Sequence, residues 1–359
     1  MTNRLYASIA SHGYGHLSQS STVINQLHKL DPSVDITLQC GYDQPTLASW
    51  FKVPYTHIKR ASEFGMLMDN SVDVQREASL QRYRDFHQNW DEHLQREVKC
   101  LEQANPDLVL ANVSYLTLAA AQQLGILNIA MCSLNWADIL LGYASPGEQP
   151  ICQQIREIYN QAERFIQPAP HMSMDHLGNR HPVAPLARQG KNHSHTLKQR
   201  LHIPIDAQLL LIGMGGIPTE LPIQHWPVEE KVHYLVPDNW PITHPNAHHF
   251  KQCQLSFIDI LCSCDALVTK PGYGSFSEAA CNNIPVLYLK RMDWPEEPFL
   301  IDWLHKYGRC HQLSREDFFS GRFKQALKQL PIAASASPAP NGAEQASKLI
   351  LEIFSQLTK

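Results

Sequence analysis

The sequence predicts an α/β protein built from two doubly wound domains, and two stretches carry that expectation. In each, a short apolar strand runs directly into a glycine-rich turn and then into a helix. The first is Leu5 to Ala10, followed by Ser11-His12-Gly13-Tyr14-Gly15-His16-Leu17-Ser18. The second is Asp265-Ala266-Leu267-Val268-Thr269, followed by Lys270-Pro271-Gly272-Tyr273-Gly274-Ser275-Phe276-Ser277-Glu278. Strand, glycine turn and helix in alternation mark a parallel sheet with helices on both faces. At 359 residues the chain has room for two such domains, each with its own core.

Composition narrows the classes of function. A formal net charge of −4 and 18% charged residues give no electrostatic bias toward nucleic acid, and the Lys and Arg residues are spread without a basic run. The nine cysteines show neither a paired framework nor zinc spacing, so a reduced, cytoplasmic protein is expected. No metal site is expected, and the adjacent His248-His249 reads as a solvated loop. The first residues enter a strand without a leader, and no apolar run approaches the length of a membrane span.

Along the chain, the first turn leads into a helix to about Leu30, with Val23, Leu27 and Leu30 on one face, and Val34 to Gln39 forms the next strand. The spacing Gly13-x-Gly15-x-x-Ser18 approaches the dinucleotide fingerprint. The carboxylate needed after the second strand is missing, however: Gln39 and Cys40 stand there, and the nearest acid is Asp43. Gln75 to Gln103 reads as one long amphipathic helical region, with Tyr83, Phe86, Trp90, Leu94 and Leu101 along one face. Strands follow at Asp107 to Leu110 and Ile126 to Leu134, the latter ending in the loop Asn135 to Asp138. Gln167-Pro168-Ala169-Pro170 reads as a linker. Beyond it lie a strand at Leu209 to Gly213, a glycine turn Met214-Gly215-Gly216-Ile217, and strands at Val232 to Val236 and Val286 to Leu289. The predicted boundaries are a first domain over 1–166, a linker over 167–174, a second domain over 175–340 and a terminal amphipathic helix over 341–359. In a two-domain chain that helix can cross back to the first domain.

The chemistry concentrates on the turns. The glycines let backbone lie flat against a ligand, and the free N–H groups of a helix start suit a phosphate or pyrophosphate. Glu278, one turn into its helix, is placed to take two sugar hydroxyls.

With both turns in view, the chain resembles nucleotide-sugar glycosyltransferases of the GT-B fold. In motif it is most similar to the glycosyltransferase-like domain of arabinokinase-type proteins. The residues that carry the resemblance are Ser11 to His16 and the run from Asp265 through Lys270-Pro271-Gly272-Tyr273-Gly274-Ser275-x-Ser277-Glu278-Ala279 to Pro285, continued in Glu296-Glu297-Pro298-Phe299-Leu300. The resemblance implies two Rossmann-like domains facing across a cleft, the first binding an acceptor and the second a nucleoside-diphosphate sugar such as a UDP-sugar. It implies that Gly272, Gly274 and Ser275 hold the pyrophosphate and Glu278 the ribose. Gly13, Gly15, Gly215 and Gly216 close on the phosphates, while Glu296 and Glu297 contact the donor sugar. Lys270, Lys290 and Arg291 are available to neutralise the leaving diphosphate. His16 matches the base of inverting members, with His12 beside it on the same turn. Such an enzyme needs no cofactor and no metal, since its donor is a substrate.

One departure is visible in the motif itself. Many members that use this base support it with an aspartate after the fourth strand, and here Asn112 stands at that point. The alternatives are therefore a non-catalytic nucleotide-sugar-binding module and, with less support, a sugar-nucleotide epimerase. The base, sugar, acceptor and oligomeric state are not legible.

Overall fold

The structure, a computed structural model, describes residues 3–216, 220–291, 293–334, 336 and 338–357. Ile217 of the second glycine turn lies outside them. Among the described residues the strands form two parallel sheets. The first contains β1 (Arg4–Ile9), β2 (Asp35–Cys40), β3 (Thr56–Lys59), β4 (Leu108–Asn112), β5 (Leu127–Met131), β6 (Arg164–Pro168) and β7 (Arg180–Val183), in the order β3-β2-β1-β4-β5-β6-β7. The second contains β8 (Gln208–Gly213), β9 (Val232–Val236), β10 (Ala247–His249), β11 (Ala266–Thr269), β12 (Val286–Leu289) and β13 (Cys310–Leu313), in the order β10-β9-β8-β11-β12-β13.

Both sheets are wound outward from their first strand in the same way. The order reverses between β1 and β4 in one half and between β8 and β11 in the other. Such switch points leave a crevice outside the carboxyl ends of the strands, where open α/β sheets bind ligands. The turns read from the sequence open at these two places. The strands are buried on both faces, so β4 (Leu-Val-Leu-Ala-Asn) and β8 are almost continuously apolar rather than alternating.

The expected linker is displaced. Phe165 to Pro168 pair in parallel with Arg180 to Val183, so residues 164–183 extend the first sheet instead of joining two domains. Pro168 ends a strand near the sheet's edge, where its missing N–H is tolerated. Chain passage into the second half falls after Val183.

The expected long helix is also two helices, Arg76–Gln88 and Trp90–Ala104. They are parted at Asn89, whose φ of −104° and ψ of 24° leave the helical region. The amphipathic face is kept across the break: Leu80, Tyr83, Val98 and Leu101 are buried.

The terminal helix Gly342–Phe354 crosses back as expected. Its Ala346, Ile350, Ile353 and Phe354 share a core with Leu17, Val23, Ile24 and Leu27 of the helix Tyr14–Leu30. Complete burial of a large apolar side chain contributes about 1.5–3 kcal/mol, so this contact is a substantial tie. Ser347 Oγ adds a hydrogen bond to the Val23 carbonyl at 3.2 Å. The N-terminal half of the helix Tyr14–Leu30 is also covered at the junction, where Ser18 lies against Gly274 and Gln19 against Ser133, so its polar residues Ser18, Gln19, Ser20 and Ser21 are buried.

Candidate active site

The two halves meet with the carboxyl ends of their sheets facing. A side chain added at Gly216 would strike the Tyr14 ring at 2.7 Å, and one added at Gly274 would meet Ser18 Oγ at 3.6 Å. His12 stacks on Trp294, with ring centroids 5.8 Å apart and planes 4° from parallel. Tyr143 Oη donates to the Asp293 carbonyl at 2.8 Å.

Two helix N-termini open onto this junction. The helix Tyr14–Leu30 starts from Gly13 and the helix Tyr273–Cys281 from Gly272, and neither has a side chain capping its first N–H groups. Gly13 sits at φ 80°, a conformation that side-chain-bearing residues seldom adopt. Gly272 is extended at φ −167°, so conformation does not require its glycine there. At Gly15 and Gly215 an added Cβ would meet nothing within 4 Å, which leaves backbone open to an incoming group.

Lys270 and Arg291 bring positive charge to the second turn. Desolvation of the Lys270 ammonium, and then the charge of Arg291, lower its pKa to about 7. Glu297 is held by the Arg291 backbone N–H at 3.1 Å and Nε at 3.0 Å. Burial pushes its carboxyl up, against the pull of Arg291. Lys290, by contrast, points to solvent.

His16 lies 5% exposed at the start of its helix, and its Nδ1 is 2.9 Å from Asn112 Oδ1. The approach of these two residues, expected from the motif, is observed. Burial lowers the His16 pKa to about 4, and the Asn112 hydrogen bond opposes this. His12 is driven to about 3 by burial and then by neighbouring His16. Both imidazoles are therefore neutral at pH 7. His12 Nε2 and Ser18 Oγ are buried and find no hydrogen-bond partner within the protein.

Glu278 is already paired within the protein. It is 3% exposed, and its Oε1 accepts from Arg188 Nε at 2.6 Å. Arg188 in turn lies over the Trp50 ring at 4.6 Å. A ribose would have to share that carboxylate with the guanidinium. Glu296 is also engaged, through Ser133 Oγ at 2.7 Å and Trp294 Nε1 at 3.2 Å. Sequence reading missed Arg188, Gln19 and Ser133. Only Gln19 offered a signal, being one helical turn beyond His16.

Beside this junction, the first half has a cavity of about 530 Å³ lined by Ser62, Glu63, Phe64, Arg82, Phe86 and His93, among others. Its wall continues into Gly65, where an added Cβ would strike Trp136 at 2.8 Å and His12 at 3.1 Å. The segment 62–65 thus lies between this cavity and His12. Among the described residues no group of three or more His, Cys, Asp or Glu could hold a metal ion. No helix among them is long and apolar enough to cross a membrane.

Comparison with known proteins extends the likeness over the whole chain. CalG4, the calicheamicin glycosyltransferase, superposes with a TM-score of 0.66 at 14% identity, covering 100% of both chains. The glycosyltransferase of kitacinnamycin gives 0.65 at 14% identity, covering 98% of this chain and 99% of that one. TcCGT1, solved in complex with UDP, gives 0.58 at 11% identity and covers 98% and 100%. L-arabinokinase of Arabidopsis thaliana is 24% identical over 362 residues, which cover 97% of this chain and 34% of that protein. The chain thus spans about a third of its curated relative. No family model matches. What these matches share with the chain is architecture: it has the GT-B fold, as the resemblance of its glycine turns led one to expect.

Proposed function

We propose that the chain is an inverting glycosyltransferase that moves a sugar from a nucleoside-diphosphate sugar to a hydroxyl acceptor without a metal, with His16 as general base. The observation that carries this reading is the meeting of two uncapped helix N-termini, with Lys270 and Arg291 on one side and a neutral, hydrogen-bonded His16 on the other. The N–H groups of Gly272, Gly274 and Ser275, with the backbone of Gly13, Gly15, Gly215 and Gly216 opposite, suit a diphosphate. Lys270 and Arg291 stabilise the charge that builds on it as it leaves. His16 Nε2 takes the acceptor's hydroxyl proton as the acceptor oxygen bonds to the anomeric carbon and the bond from that carbon to the diphosphate breaks. The UDP bound to TcCGT1 favours a uridine nucleotide as the first donor to try.

A second reading is a non-catalytic nucleotide-sugar-binding module. It is favoured by Asn112, which orients an imidazole without compensating its charge, and by the Arg188 guanidinium on Glu278. One experiment separates the two: calorimetry and nucleoside-diphosphate release over a panel of nucleotide sugars. Release, faster with a suitable acceptor, supports the transferase. Tight binding without turnover across acceptors supports the module, and absence of binding overturns both.

A further inference from the structure

The hydrogen bonds around His16 form a chain whose ends fix its direction. An ionised carboxylate only accepts hydrogen bonds, so Ser133 Oγ donates to Glu296 Oε1 at 2.7 Å. Ser133 Oγ in turn accepts from Gln19 Nε2 at 3.0 Å. That turns Gln19 Oε1 toward Asn112 Nδ2, 3.3 Å away. The same Nδ2 faces the His16 backbone carbonyl at 3.4 Å, an acceptor in every state. Asn112 Oδ1 is left toward His16 Nδ1 at 2.9 Å, and an amide oxygen cannot donate. The proton of the neutral imidazole therefore resides on Nδ1, and Nε2 is bare.

Burial makes the chain effective. Gln19, Asn112 and Ser133 are at most 2% exposed and Glu296 is 5% exposed, so water has little chance to compete for any link. The other groups facing the imidazole are His12, at 6.5 Å between ring centroids, the Trp136 ring at 5.6 Å, and the Cys132 thiol at 3.6 Å from Nδ1. The thiol is pushed up to about 12 by burial and stays neutral. None of them is an anion that could fix the tautomer.

We propose that Glu296, a residue of the second half, is a positioning residue for the His16 base: through Ser133, Gln19 and Asn112 it holds the imidazole as the Nδ1–H tautomer with Nε2 free to take a proton. Glu296 thereby supplies, at a distance and across the junction, part of what an aspartate at position 112 would supply directly. Contact between the two halves thus reinforces an Asn112 orientation that the His16 carbonyl favours within the first half. Polarisation passed along neutral amides is weaker than a charge in contact with the ring, which accords with an imidazole that remains hard to protonate.

The test is nitrogen NMR of the full chain labelled in its histidine rings, comparing wild type with Ser133→Ala, Glu296→Gln and Glu296→Asp. In the wild type the His16 signals should show a protonated Nδ1 and a bare Nε2. Ser133→Ala cuts the chain, and Glu296→Gln can donate and so reverse it; both should give a mixture of tautomers. Glu296→Asp keeps an acceptor and should retain the wild-type tautomer. Folding is checked by the unchanged signals of histidines remote from the junction. Where Glu296→Gln is unstable, Ser133→Ala decides alone. A kinetic arm rests on the base role proposed above: transfer by Ser133→Ala should fall by about 10–100-fold, the size of effect seen when outer-shell partners of metal-bound histidines are removed, with nucleotide affinity kept. Mixed tautomers in a protein without transferase activity would uphold this inference while removing the base role. An unchanged Nδ1–H tautomer in both Ser133→Ala and Glu296→Gln would overturn it, whatever the kinetics.

Discussion

The turn after β1 and the turn after β11 use the same backbone device for different ends. Each follows a strand at a topological switch point and opens an uncapped helix with a glycine. The first is crowded with side chains: His16 is buried and His12 half-buried, both are neutral, and His16 is tied into a hydrogen-bonded chain. The second carries its charge on cations, a desolvated Lys270 and a buried Arg291 held against Glu297, beside glycine backbone with room for an added atom. Their glycines differ accordingly. Gly13 is required by its positive φ, whereas the nearest atom to a Cβ on Gly272 would be Lys270 Nζ at 3.6 Å, an ordinary contact. A site that must place a proton acceptor needs rigid, partnered side chains, and a site that must receive a diphosphate needs exposed donors and room. The difference between the turns follows from that division of labour.

Four substitutions or conditions sharpen the comparison. Among the substitutions, the largest stability effect is expected where the second turn's helix is pinned to the first half. Arg188 joins Glu278 to Trp50, and Arg188→Ala leaves a nearly buried carboxylate unpaired. Chemical denaturation should show a loss of about 3 kcal/mol, with much of it recovered in the Arg188→Ala, Glu278→Ala double variant. A loss confined to the double variant would mean that the pair does not tie the halves.

Acid should act on the first turn. The folded-state pKa values of His12 and His16 are depressed to about 3 and about 4. Their contribution is therefore fully present above the unfolded value of about 6.5 and is lost as pH falls toward the folded values. Between those limits each histidine should lower stability by up to roughly 1.4 kcal/mol per pH unit. Denaturation midpoints of wild type and His12→Gln from pH 7 to 4 check this. Parallel curves would show that His12 titrates as it does in the unfolded chain.

Glycine substitutions should be smaller and unequal. Gly13→Ala forces a side chain into a positive-φ position and should cost about 1–2 kcal/mol in thermal or chemical unfolding. Gly272→Ala should change stability by less than about 0.5 kcal/mol, yet weaken nucleoside-diphosphate binding by calorimetry, because its methyl group enters the space kept for phosphate. Equal effects of the two on folding would erase the distinction drawn between the turns.

Much of this was legible because backbone requirements leave strong marks in sequence. Strand, glycine turn and helix identified both switch points, and the terminal helix announced its docking face through Ala346, Ile350 and Ile353. The short edge strand Arg180–Val183 escaped, because Arg-His-Pro-Val has neither apolar continuity nor alternation and is a strand only beside β6. Pro168 suggested a linker for the same local reason. Within the site, His16 and Asn112 were readable as a pair through the resemblance, which implies a supporting aspartate where Asn112 stands. Ser133 and Glu296 are 163 positions apart, and no local pattern brings them together. Arg188 likewise lies in an unpatterned segment 90 positions before its partner. Long-range polar contacts of this kind depend on how the halves dock, which periodicity does not encode.

The central claim is that the backbone of both turns frames the diphosphate while the His16 side chain, on the first turn, activates the acceptor. It is tested most directly by measuring His16→Ala twice: nucleoside-diphosphate affinity by calorimetry, and diphosphate release from the nucleotide sugar that the panel identifies, in the presence of acceptor. The account predicts affinity close to wild type and transfer reduced by about 10²–10⁴-fold, the usual effect of removing positioned proton transfer. Transfer at the wild-type rate would contradict the base assignment, and a loss of nucleotide affinity in the same variant would place His16 in the phosphate site instead.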